Sequence, residues 1–133
     1  MNKAYLLVAL GGAIGSVSRF WLSGLIASRF GESFPWGTLT INVTGSFVIG
    51  IFAALTQPET GGPNRVTLIQ FVMIGICGGY TTFSSFSLQT LNLLRDRQFL
   101  SATGNVVLSV VLCMIAVWLG YLLGAMFNSM KGH

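Results

Sequence analysis

Charge is scarce in this chain. Seven Lys and Arg and three Asp and Glu make up 8% of its 133 residues, where a soluble domain carries about 25%. Ten charges cannot cover a water-facing surface, so the medium around most of the chain is expected to be lipid. Acid is scarcer still. Glu32, Glu59 and Asp96 are the whole supply, and each falls between apolar segments. No carboxylate is left for the apolar interior, where a proton-coupled exporter of hydrophobic cations needs one. That counts against the alternative of a small multidrug exporter. Histidine occurs once, as His133 at the end of the chain, where it is expected to be disordered. Cysteine occurs twice, as Cys77 and Cys113, both inside apolar segments. Two isolated thiols build neither a disulfide framework nor a metal-ligand pattern, and buried packing accounts for them. No nucleophile–base set and no cofactor motif is present, which removes the enzyme reading. The net charge of +4 would suggest nucleic acid in a soluble protein. Here the basic residues are spread over segment ends and loops without a run, as membrane-flanking residues are.

Hydrophobic residues, by contrast, make up 53% of the chain, and the mean hydropathy is +0.75. They fall into four segments, at about 4–28, 36–56, 65–94 and 100–127. A membrane crossing takes about 20 apolar residues, so the segments predict one all-α membrane domain of four transmembrane helices. The first is too long for a signal-peptide core and lacks a small-x-small cleavage site, so it is read as a span. Residues 57–64, with Pro58, Gly61, Gly62 and Pro63, read as a turn. Arg95, Asp96 and Arg97 form a short charged loop.

The third segment departs from a plain span. Val66 to Cys77 is apolar, Gly78-Gly79-Tyr80-Thr81-Thr82 follows, and Phe83 to Leu94 is amphipathic. Two glycines and two β-branched residues make a poor helix interior. The pattern predicts two half-helices joined by a non-helical break near mid-membrane; the alternative is a kinked continuous helix. Unpaired backbone is tolerated at that depth only where protein or a cavity satisfies it, and broken membrane helices often mark ion sites.

The deepest charge is Arg19, in the first span. An arginine stays protonated when buried, so the interior bias is positive and favours an anion. The remaining basic residues divide evenly. Lys3, Arg65 and Lys131 fall on one side of a four-span chain, and Arg29, Arg95 and Arg97 on the other. Lys/Arg bias sets orientation, so an even count is compatible with insertion both ways and an antiparallel dimer, or with an orientation settled by Arg19.

Polar residues run in stripes. Thr38, Asn42 and Ser46 recur every fourth residue of the second span, and Asn105, Ser109 and Cys113 do so on the fourth. Ser84, Ser85, Ser87 and Gln89 crowd the second half of the third. Residues four apart share one helix face. Such a stripe serves either as interhelical glue in a scaffold or as the wall of a conducting path. Phe83 and Phe86 lie three apart beside these hydroxyls. As core they only fill space. As site residues they offer positive ring edges to an anion, and the Asn42 amide adds a donor that helps replace lost water. Glycines at four-residue spacing, Gly11/Gly15, Gly75/Gly79 and Gly120/Gly124, permit close helix packing.

The run Gly78-Gly79-Tyr80-Thr81-Thr82-Phe83-Ser84-Ser85-Phe86-Ser87 resembles the signature of the Fluc (CrcB-type) fluoride channels. Trp36-Gly37-Thr38-Leu39-Thr40-Ile41-Asn42 and Gly11-Gly12-Ala13-Ile14-Gly15 with Ser18-Arg19 resemble it too, in order and spacing. The resemblance implies an antiparallel, dual-topology homodimer in a bacterial inner membrane. Two pores would pass toxic cytoplasmic fluoride out passively. It implies Phe83, Phe86 and Asn42 as pore residues, with Ser84 and Ser85 beside them and Asn105, Ser109 and Cys113 as a polar track. It implies a structural sodium ion held by the Gly78 and Thr81 backbone carbonyls, four from two chains. Gln89 stands where relatives often carry glutamate, so a role needing a carboxylate is in doubt there. Cys113 is a weak donor, so the track is expected to conduct less well at that point.

Overall fold

The computed structural model describes residues 2–132; the expectation for His133 falls outside them. The described residues form helices and short connections, without a strand. Four helices are long and apolar enough to cross a membrane: Lys3–Phe30, Trp36–Leu55, Arg65–Arg95 and Phe99–Lys131. The first two are α1 and α2. The third combines two segments. α3 comprises Arg65–Leu68, a π-helical stretch Ile69–Cys77 and a last turn Gly78–Tyr80, and α4 is Phe83–Arg95. The long C-terminal helix Phe99–Lys131 is α5. All three acidic residues lie outside these helices.

The helix ends follow from local chemistry. Asn2 accepts the Ala4 N–H and starts α1, as an N-cap side chain does. Gly31, at φ 78°, ends it in a conformation that suits glycine and donates to Ala27 O. α5 runs past residue 127 because nothing before Gly132 breaks it. Its last turns are anchored by Asn128 Nδ2, which donates to Ala54 O at 2.8 Å and to Thr60 Oγ1 at 3.2 Å. Arg65 opens α3 and donates from Nε to Thr56 O at 2.6 Å.

Two helix pairs organise the chain: α1 lies on α3, and α2 lies along α5. Both are built on glycine. Gly11 and Gly15 are buried against the α3 backbone. A Cβ on Gly15 would run into Ile76 O, and one on Gly11 into Phe71 O. Gly50 meets the backbone at Val117 in the same way, Gly120 meets Phe47 O, and Gly124 meets Ile51 O. Few large side chains are fully buried, Ile41 and Asn105 being the ones under 2% exposed. Helices in lipid gain nothing by hiding apolar surface from an equally apolar medium. They associate through close backbone approach and hydrogen bonds instead.

The two kinds of glycine should separate by substitution. Gly24 has nothing within 4 Å of a built Cβ. Gly24→Ala is therefore expected to be neutral or to stabilise by about 0.5–1 kcal/mol through reduced chain entropy. Gly15→Ala must move backbone and should cost on the order of 1–3 kcal/mol. Thermal melting of the two variants in detergent checks the opposite signs.

Candidate functional site

Between α3 and α4 the chain is extended: Thr81 has φ −83°, ψ 157° and Thr82 φ −153°, ψ 112°. The irregular stretch is narrower than the glycine–threonine run suggests. Gly78 keeps helical dihedrals, φ −63° and ψ −39°, and Gly79 lies within the same turn. Neither glycine unwinds the helix, and Gly79 serves proximity. A Cβ on Gly79 would strike the backbone of Gly12, while Gly78 meets only Met73 O, at 3.9 Å.

Asn42 holds the extended residues. Its Oδ1 accepts Thr82 N–H at 2.8 Å and its Nδ2 donates to Thr82 O at 3.1 Å. One side-chain amide thus satisfies both backbone groups of a residue outside any helix, as buried peptide groups require. Two carbonyls of this stretch lose their helical donors, one to Asn42 and one to the Thr82 cap. Thr82 N–H is the i+4 partner of Gly78 C=O, and it goes to Asn42 instead. Ser85 N–H is the i+4 partner of Thr81 C=O, and it goes to Thr82 Oγ1 at 3.1 Å, capping α4. Thr81 itself stays tied to the end of α3, its N–H and hydroxyl donating to Cys77 O at 3.0 and 2.8 Å.

On the other side of this junction, Arg19 donates from Nε to Gly79 O at 3.0 Å. The guanidinium sits at the C-terminal end of α3, where helix dipole and unpaired carbonyls favour a cation. Tyr80 adds a further tie, its hydroxyl 2.9 Å from Thr44 Oγ1.

The extended segment borders a cavity of about 410 Å³. Its wall brings together Asn42 and Ser46 of α2, Gly78, Thr81 and Thr82 of the junction, Phe83 and Phe86 of α4, and Ser109 and Cys113 of α5, with Gly45, Ile49, Met73, Cys77, Val110 and Met114 between them. No charged side chain lines it. The two phenylalanine rings are tilted by 49° with centroids 5.4 Å apart. Phe83 is 79% exposed in the single chain.

Other candidate residues lie elsewhere. Asn105 is 1% exposed and off the cavity wall; it donates to Thr90 Oγ1 at 2.9 Å and receives Ser109 Oγ at 3.4 Å, joining α5 to α4. Ser84 and Ser85 also lie off the wall, Ser84 Oγ being 3.3 Å from Thr82 Oγ1. Gln89 lines a second cavity, of about 350 Å³, with Thr38, Glu32 and Asp96 at the end of the bundle. Its Oε1 is buried without a hydrogen-bond partner. The α2 stripe therefore runs from one cavity to the other, Thr38 on the second and Asn42 and Ser46 on the first. Thr82 was not singled out from the sequence, although a threonine just before a helical run is a readable N-cap signal.

The arrangement is that of a small multi-pass membrane protein with a largely apolar cavity, set with a few polar side chains and two aromatic rings, beside an extended joint. The family model for CrcB-like protein, Camphor Resistance (CrcB), matches residues 6–121, and the chain belongs to that family. Among its relatives is the fluoride-specific ion channel FluC of Opitutus terrae, 62% identical over 128 residues that cover 96% of this chain and 97% of the relative. The protein of the same name from Rhodospirillum rubrum is 59% identical, covering 93% and 96%. That from Methylocella silvestris is 52% identical, covering 96% and 98%. Each is named an ion channel rather than an enzyme.

Asn42→Ala removes both hydrogen bonds to Thr82 and leaves two backbone groups unpaired, at a cost of about 2–3 kcal/mol. Amide exchange across residues 78–86, followed by mass spectrometry, should accelerate by at least about tenfold, as more than 1.4 kcal/mol implies. Unchanged exchange would remove Asn42 from its holding role.

Proposed function

We propose that this protein is a fluoride-selective channel that lets toxic cytoplasmic fluoride leave the cell passively, working as an antiparallel homodimer in a bacterial inner membrane. The observation that carries the reading is the cavity. It gathers an amide, four hydroxyl residues and two phenylalanine rings around one space without a single carboxylate. A compact anion entering it loses water at great cost and gains hydrogen-bond donors and positive ring edges in return. The names of the relatives point to the same cargo.

The dimer reading draws on the exposure of Phe83 in a single chain, because a large aromatic ring left open at the cavity is a surface that a second copy can cover. The even division of basic residues, three to each side, supports insertion in both directions. Two antiparallel copies would form two equivalent pores. The extended joint is read as lying near mid-membrane, where freed backbone needs a partner.

A structural sodium ion fits the residues present. The carbonyls of Gly78 and Thr81 have both lost their helical donors, to Asn42 and to the Thr82 hydroxyl. Freed main-chain oxygens at a membrane break suit a hard cation. Two chains would supply four of them. Such an ion contributes positive charge between the subunits. Arg19, Asn42 and Thr82 do the remaining work by holding the backbone in the shape that presents these oxygens.

Fluoride efflux from liposomes tests the reading. Phe83→Ile and Phe86→Ile nearly keep side-chain volume, so folding should suffer by less than about 1.5 kcal/mol. Isoleucine offers no positive edge, and efflux per folded dimer should fall at least about a hundredfold, the loss of roughly 2.7 kcal/mol. Normal efflux from both variants, with normal elution on gel filtration, would return the rings to plain packing. Orientation is tested separately. Reporter fusions at the C-terminus should signal from both sides of the membrane, and a signal from one side only rejects dual topology.

A further inference from the structure

Ser109 lines the 410 Å³ cavity, yet its hydroxyl proton is already committed. The reason lies at Thr90, one turn beyond Phe86 on α4. Its hydroxyl is 2.7 Å from Phe86 O. A carbonyl only accepts, so the Thr90 proton goes to Phe86. Thr90 Oγ1 then has no proton left for the amide 2.9 Å away and must accept from Asn105 Nδ2. That turns Asn105 Oδ1 towards Ser109, and an amide oxygen likewise only accepts. The Ser109 proton therefore goes to Asn105, across 3.4 Å. One main-chain carbonyl thus orients three side chains in series. Asn105 and Ser109 are both buried, so a broken link is costly and the direction of the chain is held.

We propose that Thr90 is a positioning residue that withholds the Ser109 proton from the ion path and so keeps a compact anion loosely held there. The proposal rests on the channel reading given above. Thr90 itself lies off the cavity wall and acts only through Asn105 and Ser109. A conducting site must bind well enough for entry and weakly enough for exit. Asn42 and Ser46 already offer donors around the same space, and a further donor from Ser109 would hold the anion longer. Without the Thr90 hydroxyl nothing fixes the Asn105 amide. It can turn over, donate to Ser109 Oγ and leave the serine proton free for the anion.

The test is fluoride efflux from liposomes carrying the full chain, measured against fluoride concentration. Thr90→Val keeps the branched shape and removes the hydroxyl. It should lower the half-saturating concentration about tenfold, the lower end of what a hydrogen bond to a charged group is worth. Maximal efflux should fall by a similar factor, because such a change is felt mainly on exit. Thr90→Ser keeps the hydroxyl and should match the wild type. A purely structural role would reduce the folded yield without moving the half-saturating concentration. An unmoved value in folded Thr90→Val overturns the proposal. So does the same shift in Thr90→Ser, or its survival in a Ser109→Ala background. Should Thr90→Val not fold, Asn105→Leu removes the acceptor of the Ser109 proton and must give the same shift, whose absence overturns the proposal equally. No efflux from the wild type refutes the channel reading instead, and melting in detergent then decides the chain. Thr90 and Asn105 share a hydrogen bond, so the losses from Thr90→Val and Asn105→Leu must combine to less than their sum; additive losses overturn the chain.

Discussion

The amide of Asn42 is the constraint on which the site depends. An extended residue between two helices exposes an N–H and a C=O that no ladder satisfies, and lipid offers nothing in their place. Asn42 meets both groups of Thr82 at 2.8 and 3.1 Å. Once Thr82 N–H is engaged, Gly78 C=O has no helical donor. Once Thr82 Oγ1 caps α4 through Ser85 N–H, neither does Thr81 C=O. The Asn42 amide on α2 and the Thr82 hydroxyl thereby determine which main-chain oxygens of the third span are free. They also place Phe83 at the start of a new helix rather than in the continuation of the old one.

That amide works only because the backbones around it are held close. α1 reaches α3 through Gly11, Gly15, Gly75 and Gly79, and α2 reaches α5 through Gly50, Gly120 and Gly124. The first contact brings Arg19 to Gly79 O. The second brings the Asn42–Ser46 face of α2 and the Ser109–Cys113 face of α5 onto one cavity. Glycine has two uses in one short sequence here. Gly79 is needed for contact with Gly12, whereas Gly31 is needed for its positive φ.

The four spans were legible because lipid imposes a long, nearly charge-free pattern that few other folds require. The glycine pairs were legible as packing devices, but not their partners, since 17 glycines offer many equivalent pairings. The extent of the irregular stretch was misjudged. Propensity counts Gly78 and Gly79 as helix breakers, yet both stay helical, Gly79 packed against Gly12, and the extended backbone falls at Thr81 and Thr82. The π-helical turns of Ile69–Cys77 left no mark in the sequence, because the run is apolar apart from Gln70 and carries no period that separates one helical register from another. Stripe logic put Asn105 beside Ser109 and Cys113 correctly along the helix. It could not tell that Asn105 turns to Thr90 while its neighbours face the cavity, since helical period gives a face but not its occupant.

The charge pattern bears on what such a cavity can carry. Transferring a bare anion into an apolar medium costs tens of kcal/mol, and one hydrogen bond to a charged group returns only about 1.5–3 kcal/mol. A single donor cannot carry the process; several must act in series, and the field around them must not oppose the charge. Asn42 retains one N–H after binding Thr82, and the hydroxyl of Ser46 lies one turn further on the same wall. Arg19 contributes a permanent positive charge at the far side of the joint, and the carboxylates of Glu32 and Asp96 stand at the other cavity, beyond the ring pair. A glutamate at position 89 would add negative charge next to those two. The neutral amide of Gln89 avoids that repulsion and still presents a polar group at the end of the Thr38–Asn42–Ser46 stripe. The same wall is poorly suited to an organic cation, which would meet the positive bias of Arg19 and find no counter-charge. Within one fold, the placement of all three acids outside the helices and of one base, Arg19, in the middle of a span favours an anion path over a cation exporter.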